Sequence, residues 1–212
     1  MPNFLEPVAL IFVGWLLGLL GPSIVDAIRQ RKDNELGRAA IFTELEEFAT
    51  TIAAAAYRVR MSQGILDREF LQEMKAVVNE HPQVAAVRRL GEGVETFLKL
   101  DDAQLSALAT HAADPVGIGL GLQHYAVPLL DSRVSAFLSF KTPLQRQLLQ
   151  LRREIALLDG LVDRAEKYLD LTYTVTDHNH ERASDSHASA CTDYSKRAMK
   201  IVKLIREIKN EV

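Results

Sequence analysis

The residues best suited to chemistry form a basic stripe near the C-terminus. Lys196, Lys200 and Lys203 are spaced by four and three residues, so a helix places their ammonium groups along one face. The last 21 residues hold six basic and three acidic side chains, although the net charge of the whole chain is −3. Arg152 and Arg153 add a second positive spot. Aligned cations attract anions, so this pattern predicts a site for an anionic ligand.

The ligand class suggested by this stripe is a nucleotide or an oligonucleotide. Contact with the anionic inner leaflet of a membrane is a second interpretation, and a solvated helix face is the third. The overall charge is close to balanced, with 25 basic and 28 acidic residues. We therefore do not expect binding to double-stranded DNA.

One group of residues has the character of metal ligands. His187 and Cys191 are four residues apart and share a face if the segment is helical, and zinc takes imidazole and thiolate ligands. His178 and His180 lie in a polar stretch that supplies no clear supporting shell. Solvated polar residues are the simpler interpretation. We expect no metal and no cofactor.

Enzyme motifs are absent from the sequence. There is no nucleophile elbow, no phosphate-binding loop followed by Lys-Ser/Thr, no H-E-x-x-H and no paired C-x-x-C. A G-x-G-x-G run at Gly117, Gly119 and Gly121 follows no predicted strand, so it does not indicate a nucleotide-binding turn. We expect that the protein is not an enzyme.

Helices must position these side chains. Proline and glycine are sparse, at 7 and 11 residues, and no segment shows the alternation of a strand, so the predicted class is all-α. A buried loop followed by a helix is predicted over residues 115–130, with an interfacial or re-entrant membrane segment as the alternative. Residues 172–189 are either a loop or an exposed helical extension. Amphipathic spacing predicts helices over residues 23–61, 67–80, 83–100, 101–113 and 192–210.

The longest soluble pattern begins at Thr142-Pro143, a cap followed by proline in the first helical turn. Apolar residues then recur in steps of four and three, at Leu144, Leu148, Leu151, Ile155, Leu158, Val162, Ala165 and Leu169. We call this set the seam. It is typical of an antiparallel bundle within one chain or of a coiled coil between copies, and both remain open.

Residues 7–25 contain no charged side chain and lie between Glu6 and Asp26. A helix of this length measures roughly 28 Å, close to the roughly 30 Å of a bilayer core. The segment predicts one transmembrane helix, with a bend or interruption at Pro22. A secretory signal peptide is the rival interpretation, but such peptides begin with basic residues, which this N-terminus lacks.

The charges beside the span predict its orientation. Arg29, Arg31, Lys32 and Arg38 follow it and no basic residue precedes it, so the C-terminal side is expected in the cytoplasm and the N-terminus outside. The single cysteine fits a reducing compartment. The predicted organisation is an N-terminal tail and span over residues 1–28 and a cytoplasmic helical domain over residues 29–212.

Small residues within the span predict self-association. Gly14 and Gly18 lie four apart and Gly21 continues their face, which lets a second helix approach closely in lipid. One span cannot enclose a pore, so a channel requires at least about four copies. Its lining would come from Leu10, Leu17, Gly14 and Gly18, without a charged side chain.

The layout resembles single-span membrane effectors of bacterial anti-phage (abortive-infection) systems. Residues 8–25, the basic residues Arg29, Arg31 and Lys32, and the seam carry this resemblance. It implies a homo-oligomer in the bacterial inner membrane whose cytoplasmic domain senses a signal and whose clustered spans form a pore or disrupt the membrane. The alternative is a membrane-tethered scaffold or adaptor without channel or enzymatic activity.

Overall fold

The computed structural model describes residues 5–80, 85–113, 120–174 and 177–210, without the side chains of residues 5–14, 16–17, 19–23, 85–86 and 177–178. Over these ranges the chain forms eight helices and no strand, which confirms the all-α class. The helices are α1 (Leu5–Ser62), α2 (Arg68–Glu80), α3 (Ala85–Leu98), α4 (Asp102–Ala112), α5 (Pro128–Ser132), α6 (Val134–Leu138), α7 (Thr142–Thr174) and α8 (Asp177–Asn210).

The first helix is continuous over 58 residues, which corresponds to about 87 Å along its axis. It does not end at Pro22, so the interruption predicted there is wrong; an interior proline removes one backbone hydrogen bond, and the rest of the ladder continues. Buried residues recur every three or four positions from Ile41 to Val59 and face the core. In contrast, every side chain from residue 24 to residue 33 is exposed.

No helix in the described part of the chain is long and apolar enough to cross a membrane. Most side chains of the predicted span, residues 7–25, lie outside the description, including Leu10, Gly14, Leu17 and Gly21. Gly18 is exposed, and a Cβ atom added there would meet nothing within 4 Å. The span, its small-residue face and its pore-lining positions therefore stay predictions.

Helices α7 and α8 form the main hairpin of the bundle and run antiparallel. Along α7, seam residues from Leu148 to Ala165 are buried, and the chain covers them mainly with α8. The seam therefore joins helices within one chain. Of the two open alternatives, this arrangement is the antiparallel bundle within one chain, because the seam's side chains are covered by the chain's own helices. Assembly of copies stays a prediction.

The last helix begins earlier than predicted, at Asp177 instead of residue 192. Its first half is mostly exposed, but Ala183, His187 and Ala190 turn inward and are buried. Small residues contact a neighbouring helix without producing a strong apolar pattern. The sequence alone therefore did not decide between a loop and a helix for this segment. For residues 172–174 and 177–189, the helical alternative is confirmed.

Helices α2, α3 and α4 begin and end within two residues of their predicted limits. Gly64, in the turn after α1, has a φ of +67°, a left-handed conformation that favours glycine. The predicted cap of α4 is confirmed: Asp101 accepts from the backbone of Gln104, whose side chain accepts from the backbone of Asp101.

Residues 120–127 have no regular structure and lead into α5, which confirms the predicted loop followed by a helix over this part; residues 115–119 lie outside the described ranges. The predicted burial is wrong for half of the loop: Leu122 and Val127 are buried, whereas the exposed residues are Gly121, Gln123, His124 and Ala126. Glu44 of α1 caps α5 over a long sequence distance, since its two carboxylate oxygens each accept a backbone hydrogen bond at 2.8 Å, from Leu129 and Leu130. This contact positions the whole connection relative to α1.

Candidate functional site

An open cleft of about 560 Å³ lies between α7 and α8. We call it the hairpin cleft. Its floor is small and apolar, and its rim is charged. The residues that line it are Ala156, Leu157, Gly160, Leu161 and Arg164 of α7, and Asp193, Lys196, Arg197 and Lys200 of α8.

Side-chain size and helical periodicity create this cleft. Ala156 and Gly160 lie one turn apart on α7, and a Cβ atom at Gly160 would meet nothing within 4 Å, so the helices leave open space there. Lys196 and Lys200 lie one turn apart on α8 and border that space. The opposite face of α8 buries residues such as Ile201 and Ile205, which holds the lysines outward.

A buried carboxylate lies at one end of the cleft. Glu154 is only 7% exposed and accepts hydrogen bonds from Lys200, at 2.8 Å, and from Arg197. The hydrogen bond from Lys200, with the positive charge of Arg197 nearby, holds the pKa of Glu154 below its ordinary value. Two of the cleft's cations are therefore already engaged by a carboxylate of the chain itself.

Most of the predicted basic stripe is also engaged in ion pairs. Lys203 pairs with Glu73, which raises the pKa of that lysine, and Arg152 lies 2.7 Å from Asp131. Arg206 pairs with Glu80 and Lys209 with Glu46. These contacts attach α8 to α1 and α2, so much of the stripe has a structural role.

Two of the five predicted anion-binding residues make no ion pair with any described residue, Lys196 and Arg153. Lys196 lines the hairpin cleft, whereas Arg153 is exposed elsewhere on α7. Arg164, which no sequence pattern singled out, lies one turn beyond Gly160 and also pairs with none of the described carboxylates. Arg164 and Lys196 are thus the cations of the cleft that remain available to a ligand.

A second cleft, of about 300 Å³, lies on the other side of the same lysines and is lined by residues of α1, α2 and α8. Lys196 and Lys200 border both clefts. The second one contains three carboxylates, Asp67, Glu69 and Glu73, whereas Asp193 is the one carboxylate among the residues that line the hairpin cleft, and carboxylates repel an anion. The hairpin cleft is therefore the better candidate for anion binding.

The predicted histidine and cysteine pair is close together and largely buried. Cys191 Sγ lies 3.6 Å from His187 Nε2, and the same nitrogen lies 3.2 Å from the carbonyl oxygen of Leu120. Burial lowers the pKa of His187 and raises the pKa of Cys191 to about 11. The pair is therefore neutral, and the histidine anchors the start of the 120–127 loop.

A different histidine, which the sequence analysis did not single out as a site, lies among carboxylates. His124 Nδ1 is 3.2 Å from Asp159 Oδ1, and His124 Nε2 is 3.3 Å from Asp163 Oδ1. The hydrogen bond to Asp159, together with the negative charges of Asp163 and Glu166, raises the pKa of His124. The loop's position on α7 creates this group, and no sequence spacing indicates it.

A further cavity of about 540 Å³ lies between α1, α3, α8 and the 120–127 loop. Tyr194 lines it and is fully buried, and its hydroxyl has no hydrogen-bond partner among the described residues. Burial raises the pKa of this tyrosine well above its ordinary value.

Comparisons of the chain with known protein families, with curated proteins and with solved structures find no match.

Proposed function

We propose that this chain is a single-span protein of the bacterial inner membrane whose helical body binds an anionic signal molecule and passes the binding event to its N-terminal helix. The observation that carries this proposal is the continuity of α1. The same uninterrupted helix forms the core of the bundle at one end and extends as an exposed arm at the other. A change in the body therefore moves the arm directly.

The membrane part of the proposal is supported by exposed apolar residues and by charge. Ile24, Val25 and Ile28 are 54%, 61% and 64% exposed on the arm, where no protein covers them. The uncharged residues 7–25 precede them, and basic residues follow from Arg29 onward. This order suits an arm that enters a bilayer and leaves its cations at the anionic cytoplasmic surface.

The ligand part of the proposal is supported by the hairpin cleft. Arg164 and Lys196 offer two cations that pair with no carboxylate in the described part of the chain, and Leu157, 44% exposed, offers an apolar surface beside them. A nucleotide matches both features, because its phosphate groups carry the negative charge and its base has an apolar face. An oligonucleotide signal has the same chemistry.

Several copies acting together would turn this binding event into a pore. Because the seam is covered within each chain, the proposed contact between copies is the Gly14 and Gly18 face in the membrane. The covered seam also favours a second candidate, a membrane-tethered adaptor whose body stays monomeric. Nucleotide-dependent dye release from liposomes containing the full chain separates the two, since only a pore releases dye.

Ligand binding is tested with a fluorescent nucleotide analogue and the full chain in detergent. We expect Arg164→Glu with Lys196→Glu to weaken binding at least about tenfold, because two attractive charges become repulsive. Arg153→Glu is the matched control, since it changes an exposed, unpaired cation outside the cleft. Equal loss in the control, or no binding by the parent chain, contradicts the cleft as the site.

Membrane insertion is tested by alkaline carbonate extraction of membranes that contain the full chain. Gly18→Arg places a charge near the middle of the proposed span, at a cost of roughly 2.5–3.5 kcal/mol, and should release the protein. Gly160→Arg, at an exposed glycine of α7, is the control and should leave the protein in the membrane fraction. Extraction of the unchanged protein contradicts the anchor.

A further inference from the structure

The 120–127 loop brings an imidazole to a row of carboxylates on α7. Asp159, Asp163 and Glu166 are separated by four and three residues, so they lie along one face of that helix. His124 reaches this face from the loop. One ligand atom from each of His124, Asp163 and Glu166 lies within 4.8 Å of the others.

The spacing of these atoms suits one small ion. His124 Nε2 and Asp163 Oδ1 are 3.3 Å apart. Two ligands that each lie about 2.0 Å from a tetrahedral zinc ion are separated by about 3.3 Å, so this pair already has the required separation. Glu166 is exposed and close enough for its flexible side chain to complete the group.

The other nitrogen of the imidazole is also in a favourable position. His124 Nδ1 lies 3.2 Å from Asp159 Oδ1. In the neutral tautomer that carries its proton on Nδ1, this group donates to the carboxylate of Asp159 and the lone pair is on Nε2. Metal-binding histidines commonly have this arrangement, because the carboxylate fixes the orientation of the ring and increases its basicity.

We propose that His124, Asp163 and Glu166 bind a divalent transition-metal ion, with zinc as the representative, and that Asp159 is the positioning residue. One imidazole and two carboxylates form a ligand set typical of such ions, and three protein ligands leave a coordination position open for water or a ligand. The ion joins the irregular loop to α7. It thereby fixes the segment that also anchors His187 and leads into α5.

The test uses the full chain without an affinity tag, stripped of metal and titrated with ZnCl2 by calorimetry. We expect one ion per chain, with binding weakened about a hundredfold or more by Asp163→Asn or His124→Ala. Asp159→Asn should keep the stoichiometry and weaken binding about 10- to 100-fold, as expected for a residue that orients a metal-binding imidazole through a hydrogen bond. His111→Ala, at an exposed histidine of α4, is the control and should bind normally.

Several outcomes overturn the proposal. Absence of binding at millimolar zinc means that the group is only an ion pair between a protonated imidazole and carboxylates. Undiminished binding by His124→Ala places the ion elsewhere. Cobalt provides an independent readout, because charge-transfer absorption from a thiolate would assign the ion to Cys191. Circular dichroism of each metal-free variant verifies the fold, which we expect to persist because His111, His124 and Asp163 are exposed and Asp159 is only partly buried.

Discussion

The ammonium group of Lys200 donates a hydrogen bond of 2.8 Å to the carboxylate of Glu154, and this contact crosses from α8 to α7. Glu154 is 7% exposed, so its charge depends on protein partners, and Arg197 is the second one. The contact fixes the two helices in register beside the hairpin cleft. It also determines how many of the cleft's cations are free to bind another anion.

Replacing Glu154 by glutamine should therefore have two effects. Loss of two charge-assisted hydrogen bonds should lower the free energy of unfolding by about 1–3 kcal/mol, measured by urea denaturation. The affinity for the fluorescent nucleotide should rise, because Lys200 and Arg197 become available. Glu181→Gln, at an exposed and unpaired residue of α8, should change neither quantity. Unchanged stability in Glu154→Gln contradicts the assigned role of the ion pair.

The stability contributed by Glu154 should depend on pH in one direction. Its pKa is lower in the folded protein than in the unfolded chain, where it is about 4.3. The stabilisation is therefore complete above the unfolded pKa and is lost as the pH falls through the folded pKa. The difference in unfolding free energy between the parent chain and Glu154→Gln should be constant from about pH 6 to 8 and shrink below about pH 4. A difference that grows in acid contradicts this prediction.

Gly91 should not tolerate a larger side chain. A Cβ atom at this position of α3 would lie 2.5 Å from Cγ1 of Val78 in α2, and Val78 is itself buried. Gly91→Ala should lower the unfolding free energy by about 1–3 kcal/mol through overpacking. In a Val78→Ala background the collision is absent, so the two changes should be strongly non-additive in a double-mutant cycle. Simple additivity would show that α2 and α3 separate freely.

Removing the buried hydroxyl of Tyr194 should not destabilise the protein. The oxygen has no hydrogen-bond partner among the described residues, so Tyr194→Phe removes a desolvated polar group and keeps the ring. We expect the unfolding free energy to stay unchanged or to rise by up to about 1 kcal/mol. Tyr173→Phe, at a residue 75% exposed, is the control. A loss above about 1 kcal/mol means that the hydroxyl has a partner in solution.

Local sequence patterns predicted most of the helices. The seam predicted the buried face of α7, and the Asp101 and Gln104 pair predicted the start of α4, because both signals depend on residues a few positions apart. The start of α8 was missed since Ala183 and Ala190 make contact with little apolar surface. A helical pattern is visible in a sequence where large apolar side chains recur every three or four residues. Alanine buries little apolar area, so a helix that packs through alanines shows only a weak pattern.

The candidate site was harder to predict, because it depends on contacts between distant residues. Lys200 and Glu154 are 46 residues apart, and Arg206 and Glu80 are 126 apart. Spacing within α8 places its cations on a face, but it contains no information about the carboxylates opposite. His124 is a similar case, since its neighbours follow only from the path of an irregular loop across α7.

The uninterrupted first helix has a mechanical consequence. The segment from its N-terminus to residue 35 is about 45 Å long and is helical throughout, including at Pro22. A tilt of about 5° of this segment as one body displaces its far tip by about 4 Å, roughly three quarters of the rise of one helical turn. Under the proposed function, a rearrangement small enough to leave the core intact would therefore be felt several ångströms away from its origin, at the distant end of the helix.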